Sequence, residues 1–372
     1  MRLALVHDYL SQDGGAERVL KAFHEIWPEA PIFVLFHDRK KIPYFDAEKI
    51  KESFLAKMPF VRSAFQWYLP WMPAATEKHR LGEFDVVLSS TSAFAKGVIT
   101  APGTLHISYC HTPPRYLWAE GADYVDDLRR GPAVRAILAG VLHRLRLWDK
   151  MSADRVDFFI ANSRHVQRRI QKYYRRPSEV IYPPVETKNF KIAEGLGNYF
   201  AAGGRLVPYK RLDIAVQAFN RLKLPLKIFG LGPELEHLKK RAKPNIEFLG
   251  KISEAEKAEL LSRALAFIHP QMEDFGITPV EAMASGRPVI AFGEGGALET
   301  ITEGASGVFF RQQNWESLLD AVLNFHPENW DSAKIRERAL EFDAEIFKNK
   351  IRKFVADRWE EQERGLDQAP LI

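Results

Sequence analysis

Two carboxylates bracket a turn in the stretch EDFGITPVEAMASG: Glu273 and Glu281 stand eight positions apart around Phe275-Gly276. Carboxylates accept well from neutral hydroxyls, and a sugar or ribose offers vicinal pairs of them, so the two side chains could converge on one such ligand. The same residues also have a bland reading. Thr278-Pro279-Val280-Glu281 has the pattern of a capping box, with Thr at the N-cap, Pro at the first helical position and Glu at N3. Gly286 then sits where a left-handed terminator belongs, before Arg287-Pro288. Glu281 thus has a structural job on offer, whereas Glu273 lies before the turn and has none. The amides of Gly276, Ile277 and Thr278 fall at the positive end of the helix, where a phosphate or a sugar hydroxyl is well received.

Cations follow a strand in AAGGRLVPYKRLDIAVQAF. Arg205 and Lys210, ahead of a helix expected near Asp213, form a ready site for a diphosphate or simply a solvated basic loop. In SYCHTPPRYLW, His111 ends an apolar strand and Pro113-Pro114 stiffen the backbone behind it. Cys110 alternates with His111 and is expected to point into the core, so a Cys–His hydrolase pair is disfavoured. Gly14 and Gly15 precede the helix of AERVLKAFHEIW, where backbone amides can approach a phosphate or sugar. The G-x-G-x-x-G pattern is missing, which counts against a dinucleotide oxidoreductase. No Asp-x-Asp triplet and no His/Cys group with ligand spacing is present, so no metal site is assigned.

The elements that must position these residues alternate along the chain. Short apolar runs at 2–7, 32–36, 85–90, 105–110, 157–162 and 179–183, then at 198–203, 226–230, 246–250, 265–270, 288–293 and 307–311, are separated by helical or loop segments. Such strands are buried on both faces, as in a parallel sheet covered by helices. The 372 residues suit two domains. Each is expected to be an α/β doubly wound unit, and Tyr182-Pro183-Pro184-Val185 marks the boundary: 1–183 and 184–341. An amphipathic helix over Phe342–Glu361 could fold back on the first. The net charge of +5 fits an anionic partner, and one cysteine excludes an internal disulfide and suits a reducing compartment. MRLALVHDYL reads as a first strand and not as a signal peptide, and a cytoplasmic location is expected.

Taken in order along nearly the whole chain, these pieces resemble the retaining glycosyltransferases of family 4. The Gly14-Gly15 loop, His111, Arg205 with Lys210, and Glu273-Asp274-Phe275-Gly276 followed by Glu281 match; the last is that family's E-x7-E element. The resemblance implies the GT-B fold: two facing Rossmann-like domains and a C-terminal helix that crosses back to the first. It implies that Glu281 binds the donor's ribose, that Glu273 and the amides of Gly276 to Thr278 hold the transferred sugar, and that Arg205 and Lys210 stabilise the departing diphosphate. His111 would contact the sugar near the reacting carbon. The first domain would serve the acceptor and the second the nucleotide sugar, with no metal and no cofactor. YCHTPPRYLW, ANSRHVQRR and VIYPPVE look like the bacterial mannosyltransferases that build O-antigen and exopolysaccharide, which implies GDP-mannose and a glycan or polyprenyl-linked acceptor. One departure is Arg211, where many relatives have glycine.

The basic segment 129–155, with Leu and Trp interleaved, reads either as a contact with an anionic membrane surface or as a core-facing helix with a solvated face. Competing functions are a UDP-sugar donor, a GT-B-shaped epimerase or phosphorylase, and a basic nucleic-acid binder. Against the last, no nucleic-acid module is visible and the cations cluster at strand-end loops.

Overall fold

The computed structural model describes residues 1–118 and 132–367. By its internal contacts the chain divides into two compact units, Met1–Tyr182 with Phe347–Ile372, and Pro183–Ile346.

The first unit holds seven parallel strands: β1 (Leu3–His7), β2 (Ile32–Val34), β3 (Ile50–Glu52), β4 (Val86–Thr91), β5 (Leu105–Cys110), β6 (Phe158–Ala161) and β7 (Ser178–Val180), in the order β3-β2-β1-β4-β5-β6-β7. Alternate residues of β1 go to opposite sides: Leu3 and Leu5 join one buried cluster, Ala4 and Val6 another. Both faces are therefore covered, which is why the strand reads as continuous apolar sequence. β3 was not expected. Only Ile50 of its three residues is buried, and a charged edge strand leaves no apolar run to read.

The second unit repeats the plan with six parallel strands: β8 (Phe200–Gly203), β9 (Leu226–Phe229), β10 (Ile246–Gly250), β11 (Phe267–His269), β12 (Val289–Phe292) and β13 (Gly307–Phe310), ordered β10-β9-β8-β11-β12-β13. The C-terminal helix runs Ala344–Asp367. Phe347, Ile351, Phe354 and Val355 recur at helical spacing and bury themselves with Leu3 and Leu5 in the first unit's core.

Of the basic segment 129–155, residues 129–131 lie outside the described residues. From residue 132 the chain is the helix Pro132–Ala153, which buries Leu142 and Leu145 in a core cluster. Arg155 reaches Glu77 at 2.7 Å and the Gly97 carbonyl at 2.8 Å. Cys110 is buried as expected. Among the described residues, no helix is long and apolar enough to cross a membrane.

Candidate active site

In a doubly wound sheet, ligands gather at the carboxyl ends of strands where the strand order reverses. Here those points lie between β1 and β4 in one unit and between β8 and β11 in the other.

In the second unit, the chain leaves β8 through Arg205 and makes one tight turn, Pro208–Lys210, before the helix Leu212–Leu222. Lys210 forms an ion pair with Glu273, and each side chain is only 15% exposed. Arg205 donates to the Tyr209 hydroxyl at 3.0 Å. Arg211 behaves differently. It caps the helix with φ +49°, and its guanidinium bonds Asp213 at 3.1 Å and Gln313 at 3.4 Å.

Glu273 is held from behind by its main chain, which accepts from the Gly296 amide at 2.8 Å. Gly295 has φ +65°, and a Cβ there would lie 2.4 Å from the Glu273 carbonyl, so only glycine lets the two loops come this close. Beneath Glu273 sits His269, the last residue of β11, which the sequence reading missed. It is 1% exposed, and neither ring nitrogen makes a hydrogen bond among the described residues. Its Nε2 is 3.9 Å from Glu273 Oε2. Burial, and after it the charge of Lys210, hold its pKa down to about 3, so the ring is neutral. A cue was available: IHPQ repeats the strand–His–Pro punctuation of YCHTPP.

The capping box expected at Thr278–Glu281 does not form. Gly276, with φ +90°, turns the chain early, and the helix spans Ile277–Ala284 with no side-chain cap. Thr278 is thus already helical, and Glu281 lies a full turn inside. Glu281 is 1% exposed and accepts from Lys257 Nζ at 2.9 Å. The end of the helix is as expected. Gly286 has φ +73°, its amide bonds the Met283 carbonyl at 2.8 Å, and the Arg287 amide bonds that of Ala282 at 3.0 Å. The amides of Gly276, Ile277 and Thr278 remain at the positive end of this helix.

In the first unit, Gly14 caps the helix Gly15–Ile26, but its amide donates to Glu17 Oε2 at 3.0 Å. The Gly14 amide expected to meet a ligand is therefore committed to its own helix start. Glu17 Oε1 lies 3.8 Å from His7 Nε2. His7 Nδ1 is 3.1 Å from Ser90 Oγ, which is 2.8 Å from His111 Nε2. Register explains the line: His7 pairs with Ser90 across β1 and β4, and Ser90 with Tyr109 across β4 and β5. His111, two residues past Tyr109, returns to the same face. Burial, then the neighbouring His7, push the His111 pKa down to about 3. Asp8 anchors the adjacent loop by accepting from the amides of Ser92, Ala93, Phe94 and Ala95 at 2.6–2.9 Å. Bonds to a charged acceptor contribute roughly 1.5–3 kcal/mol each, so this loop is rigidly held.

The structure thus brings Lys210, Glu273 and Gly276 together with the unforeseen His269, and joins Gly14 to His111 through Glu17, His7 and Ser90. Glu281 sits with Lys257, and Arg205 with Tyr209. A surface cavity of about 410 Å³ beside Arg176 and Arg358 involves none of them. Among the described residues, no group of three or more His, Cys, Asp or Glu side chains could hold a metal ion.

A family model described as Glycosyltransferase Family 4 matches residues 13–189, and one described as Glycosyl transferases group 1 matches residues 186–342. The alpha-1,3/1,6-mannosyltransferase ALG2 of Dictyostelium discoideum is 26% identical over 250 residues, covering 54% of this chain and 56% of that protein. The O-antigen chain mannosyltransferase RfbU of Salmonella typhimurium is 29% identical over 202 residues, covering 48% and 56%. The chain spans about half the length of the curated relatives it matches. In fold it is similar to HepE of Anabaena, solved in complex with UDP and glucose, with a TM-score of 0.70 at 17% identity over 96% of this chain and 99% of that one. With its two Rossmann-like parallel-sheet units and adjoining family matches that together run from residue 13 to residue 342, the chain belongs to the family 4 glycosyltransferases of the GT-B fold.

Proposed function

We propose that the protein is a retaining glycosyltransferase that moves mannose from GDP-mannose to a glycan or polyprenyl-linked acceptor in cell-surface polysaccharide synthesis. The observation that carries this reading is the Lys210–Glu273 pair at the reversal between β8 and β11, beside a helix N-terminus. Glu273 neutralises Lys210 as a phosphate oxygen of the donor would. When a diphosphate takes over Lys210, Glu273 is released to accept from a hydroxyl of the transferred sugar. Arg205 and the amides at Gly276–Thr278 add positive potential, and these groups take the place of a metal ion at the leaving group.

The bond between the anomeric carbon and the phosphate oxygen breaks toward this positive end. The acceptor oxygen bonds to the same face of that carbon, and its proton passes to the departing phosphate. The enzyme orients the reactants and stabilises the leaving group, and no general base is assigned. Glu281 accepts from the ribose hydroxyls, with Lys257 holding its carboxylate in place, and His111 contacts the sugar. The mannosyltransferase names of ALG2 and RfbU support mannose.

The test is a thermal-shift screen of GDP-mannose and UDP-sugars, followed by turnover of the best hit with excess chelator present. Stabilisation and turnover with GDP-mannose at an unchanged rate, giving an anomer of retained configuration, are expected. Preference for a UDP-sugar would replace the donor; activity restored only by magnesium or manganese would reject the metal-free site.

The protein is further proposed to work at the cytoplasmic face of the membrane. Phe60, Trp67 and Trp71 are 79%, 75% and 61% exposed. Phe60 holds its ring out from a left-handed backbone of φ +55°. Lys57 lies among these aromatics, Arg62 pairs with Glu52 at 3.2 Å, and no acidic residue occurs between Ser53 and Thr76. Exposed aromatics with cations suit the interface of an anionic bilayer. Co-sedimentation with phosphatidylglycerol vesicles, lost in a Phe60→Ser/Trp67→Ser variant, tests this; equal binding by both proteins rejects it.

A further inference from the structure

The geometry points to Glu17, His7 and Ser90 as positioning residues that fix the tautomer of His111, leaving its Nδ1 as a bare hydrogen-bond acceptor. That Nδ1 meets a sugar hydroxyl rests on the proposed reaction; the tautomer itself does not.

The assignment follows from counting protons along the line. Ser90 Oγ lies 3.1 Å from His7 Nδ1 and 2.8 Å from His111 Nε2. A hydroxyl has one proton, so Ser90 donates to one ring and accepts from the other. The far end sets the direction. Glu17 Oε1 is 3.8 Å from His7 Nε2, and Glu17 is itself fixed because its other oxygen accepts from the Gly14 amide at 3.0 Å. A carboxylate beside a ring nitrogen favours the proton on that nitrogen. The opposite tautomer would set the lone pair of Nε2 against a carboxylate where both side chains are under 5% exposed, acceptor facing acceptor.

In its neutral form, with the single proton on Nε2, His7 presents a bare Nδ1 to Ser90, which can only accept. Ser90 therefore donates to His7, and its oxygen accepts from His111 Nε2–H. A neutral imidazole carries a single N–H, and burial keeps His111 neutral. Its Nδ1 is then a lone pair. Such a nitrogen takes a bond from a hydroxyl and cannot donate to a phosphate oxygen, so the line tells His111 which part of a nucleotide sugar it can hold. It also gives Glu17 and the Gly14 turn a role at a distance. They do not touch the ligand through this line but set the polarity of the group at its end.

The experiment is ring-nitrogen NMR of the full chain labelled with 15N-histidine, at pH 8, with the His111 signals assigned by their loss in His111→Gln. Expected is a protonated-type Nε2 and a bare-type Nδ1. A ring protonated at Nδ1, alone or with Nε2, overturns the assignment whatever the activity. Ser90→Ala and Glu17→Gln supply the second readout; glutamine still offers the Gly14 amide an oxygen. Both should move the His111 signals toward a mixture of tautomers. Both should also lower kcat about ten-fold, the effect of one misdirected hydrogen bond, with the donor KM changed less than about three-fold. Unchanged ring signals in the folded variants overturn the role of the line, and if neither folds the wild-type spectrum alone decides. The expected wild-type tautomer without turnover of any nucleotide sugar would reject the transfer reaction and leave the assignment standing.

Discussion

At the reversal between β1 and β4 the chain assembles His7, Ser90 and His111, hydrogen-bonding groups ordered by strand register beside one buried carboxylate. At the reversal between β8 and β11 it assembles Lys210, Glu273 and His269, opposite charges over an imidazole that makes no hydrogen bond among the described residues. The topology is the same and the electrostatics differ. A line of neutral groups can direct a proton or a lone pair but adds little field, whereas a paired cation and carboxylate can exchange partners with an incoming anion. The first arrangement suits fixing the orientation of a neutral hydroxyl, the second binding and releasing a diphosphate. Sheet order therefore says where a site lies, and the residues at the strand ends say what it does.

The hardest way to break this contrast is to remove the cation. Lys210→Ala should lower kcat/KM by roughly 30- to 1000-fold, the cost of about 2–4 kcal/mol of lost leaving-group stabilisation. The fold should persist, since the lysine emerges from a surface turn. Turnover on the donor found by screening is the measurement. A rate within a few-fold of normal would mean that the pair is only an ion pair, and the contrast between the reversals would lose its functional meaning.

Next come the two carboxylates of the E-x7-E element. Glu281→Gln should weaken binding of the bare nucleoside diphosphate by roughly 1.5–3 kcal/mol, because a charged acceptor of two hydroxyls is replaced by a neutral one. It should also lower stability, since Lys257 loses a partner in a site where its side chain is 8% exposed. Lys257→Met separates these effects. If Glu281 served only to neutralise the lysine, both variants would lose stability and neither would lose affinity. Glu273→Gln should bind the nucleoside diphosphate at least as tightly as the natural protein, because Lys210 is freed, while sugar transfer falls. Calorimetry with the nucleoside diphosphate reads all three.

Much of this was legible in the sequence because buried strands and glycine stops are written in residue type. Twelve of the strands appear as apolar runs, and Gly286 ends its helix as its position implies. What escaped was decided by tertiary partners. The Thr278–Glu281 pattern has the letters of a capping box, but Gly276 starts the helix before that box can form. Nothing local says that Lys257, on another helix, turns to Glu281, or that Asp8 gathers four amides from residues 92–95. Ser90 is an ordinary strand serine until its register sets it between two histidines. Motifs exposed the residues proposed to meet ligands more readily than those that hold them.

Protonation offers a gentler probe, taken at two buried strand histidines, His106 of β5 and His269 of β11. His106, bonded to Ser89 Oγ at 3.0 Å, has its pKa lowered by burial to about 4, and His269 to about 3 by burial and then by Lys210. Below about pH 6.5 the unfolded chain takes up protons that these folded rings refuse, so each contribution is full above that pH and declines as pH falls toward the folded pKa. Between pH 7.5 and 5.0 each should cost its unit about 2 kcal/mol, read by hydrogen exchange of the strand amides. In Lys210→Ala the His269 pKa should rise, followed by titrating the ring itself, with that of His106 in the first unit unaltered. An equal change in both rings, or none, would show that Lys210 does not set the field at His269.

The smallest effect should come from the residue next to the largest. Arg211 stands where many relatives of the family have glycine, and its backbone explains the preference: φ +49° is left-handed, a region that costs a side-chain-bearing residue about 1 kcal/mol. Arg211→Gly would relieve that strain and lose the contact with Asp213, an exposed ion pair of the kind that contributes about 0–1 kcal/mol. The two terms have opposite sign and similar size, so the melting temperature should hardly move. The same contact decides the catalytic outcome. A guanidinium held by Asp213 and Gln313 is already neutralised at its own helix start, so turnover should stay within about two-fold, against the large loss at Lys210 one position earlier. Kinetics of the two variants side by side would sharpen the contrast to single-residue resolution. A loss at Arg211→Gly comparable to that at Lys210→Ala would mean that Arg211 leaves Asp213 when the donor binds. The positive end of this site would then be built from three side chains.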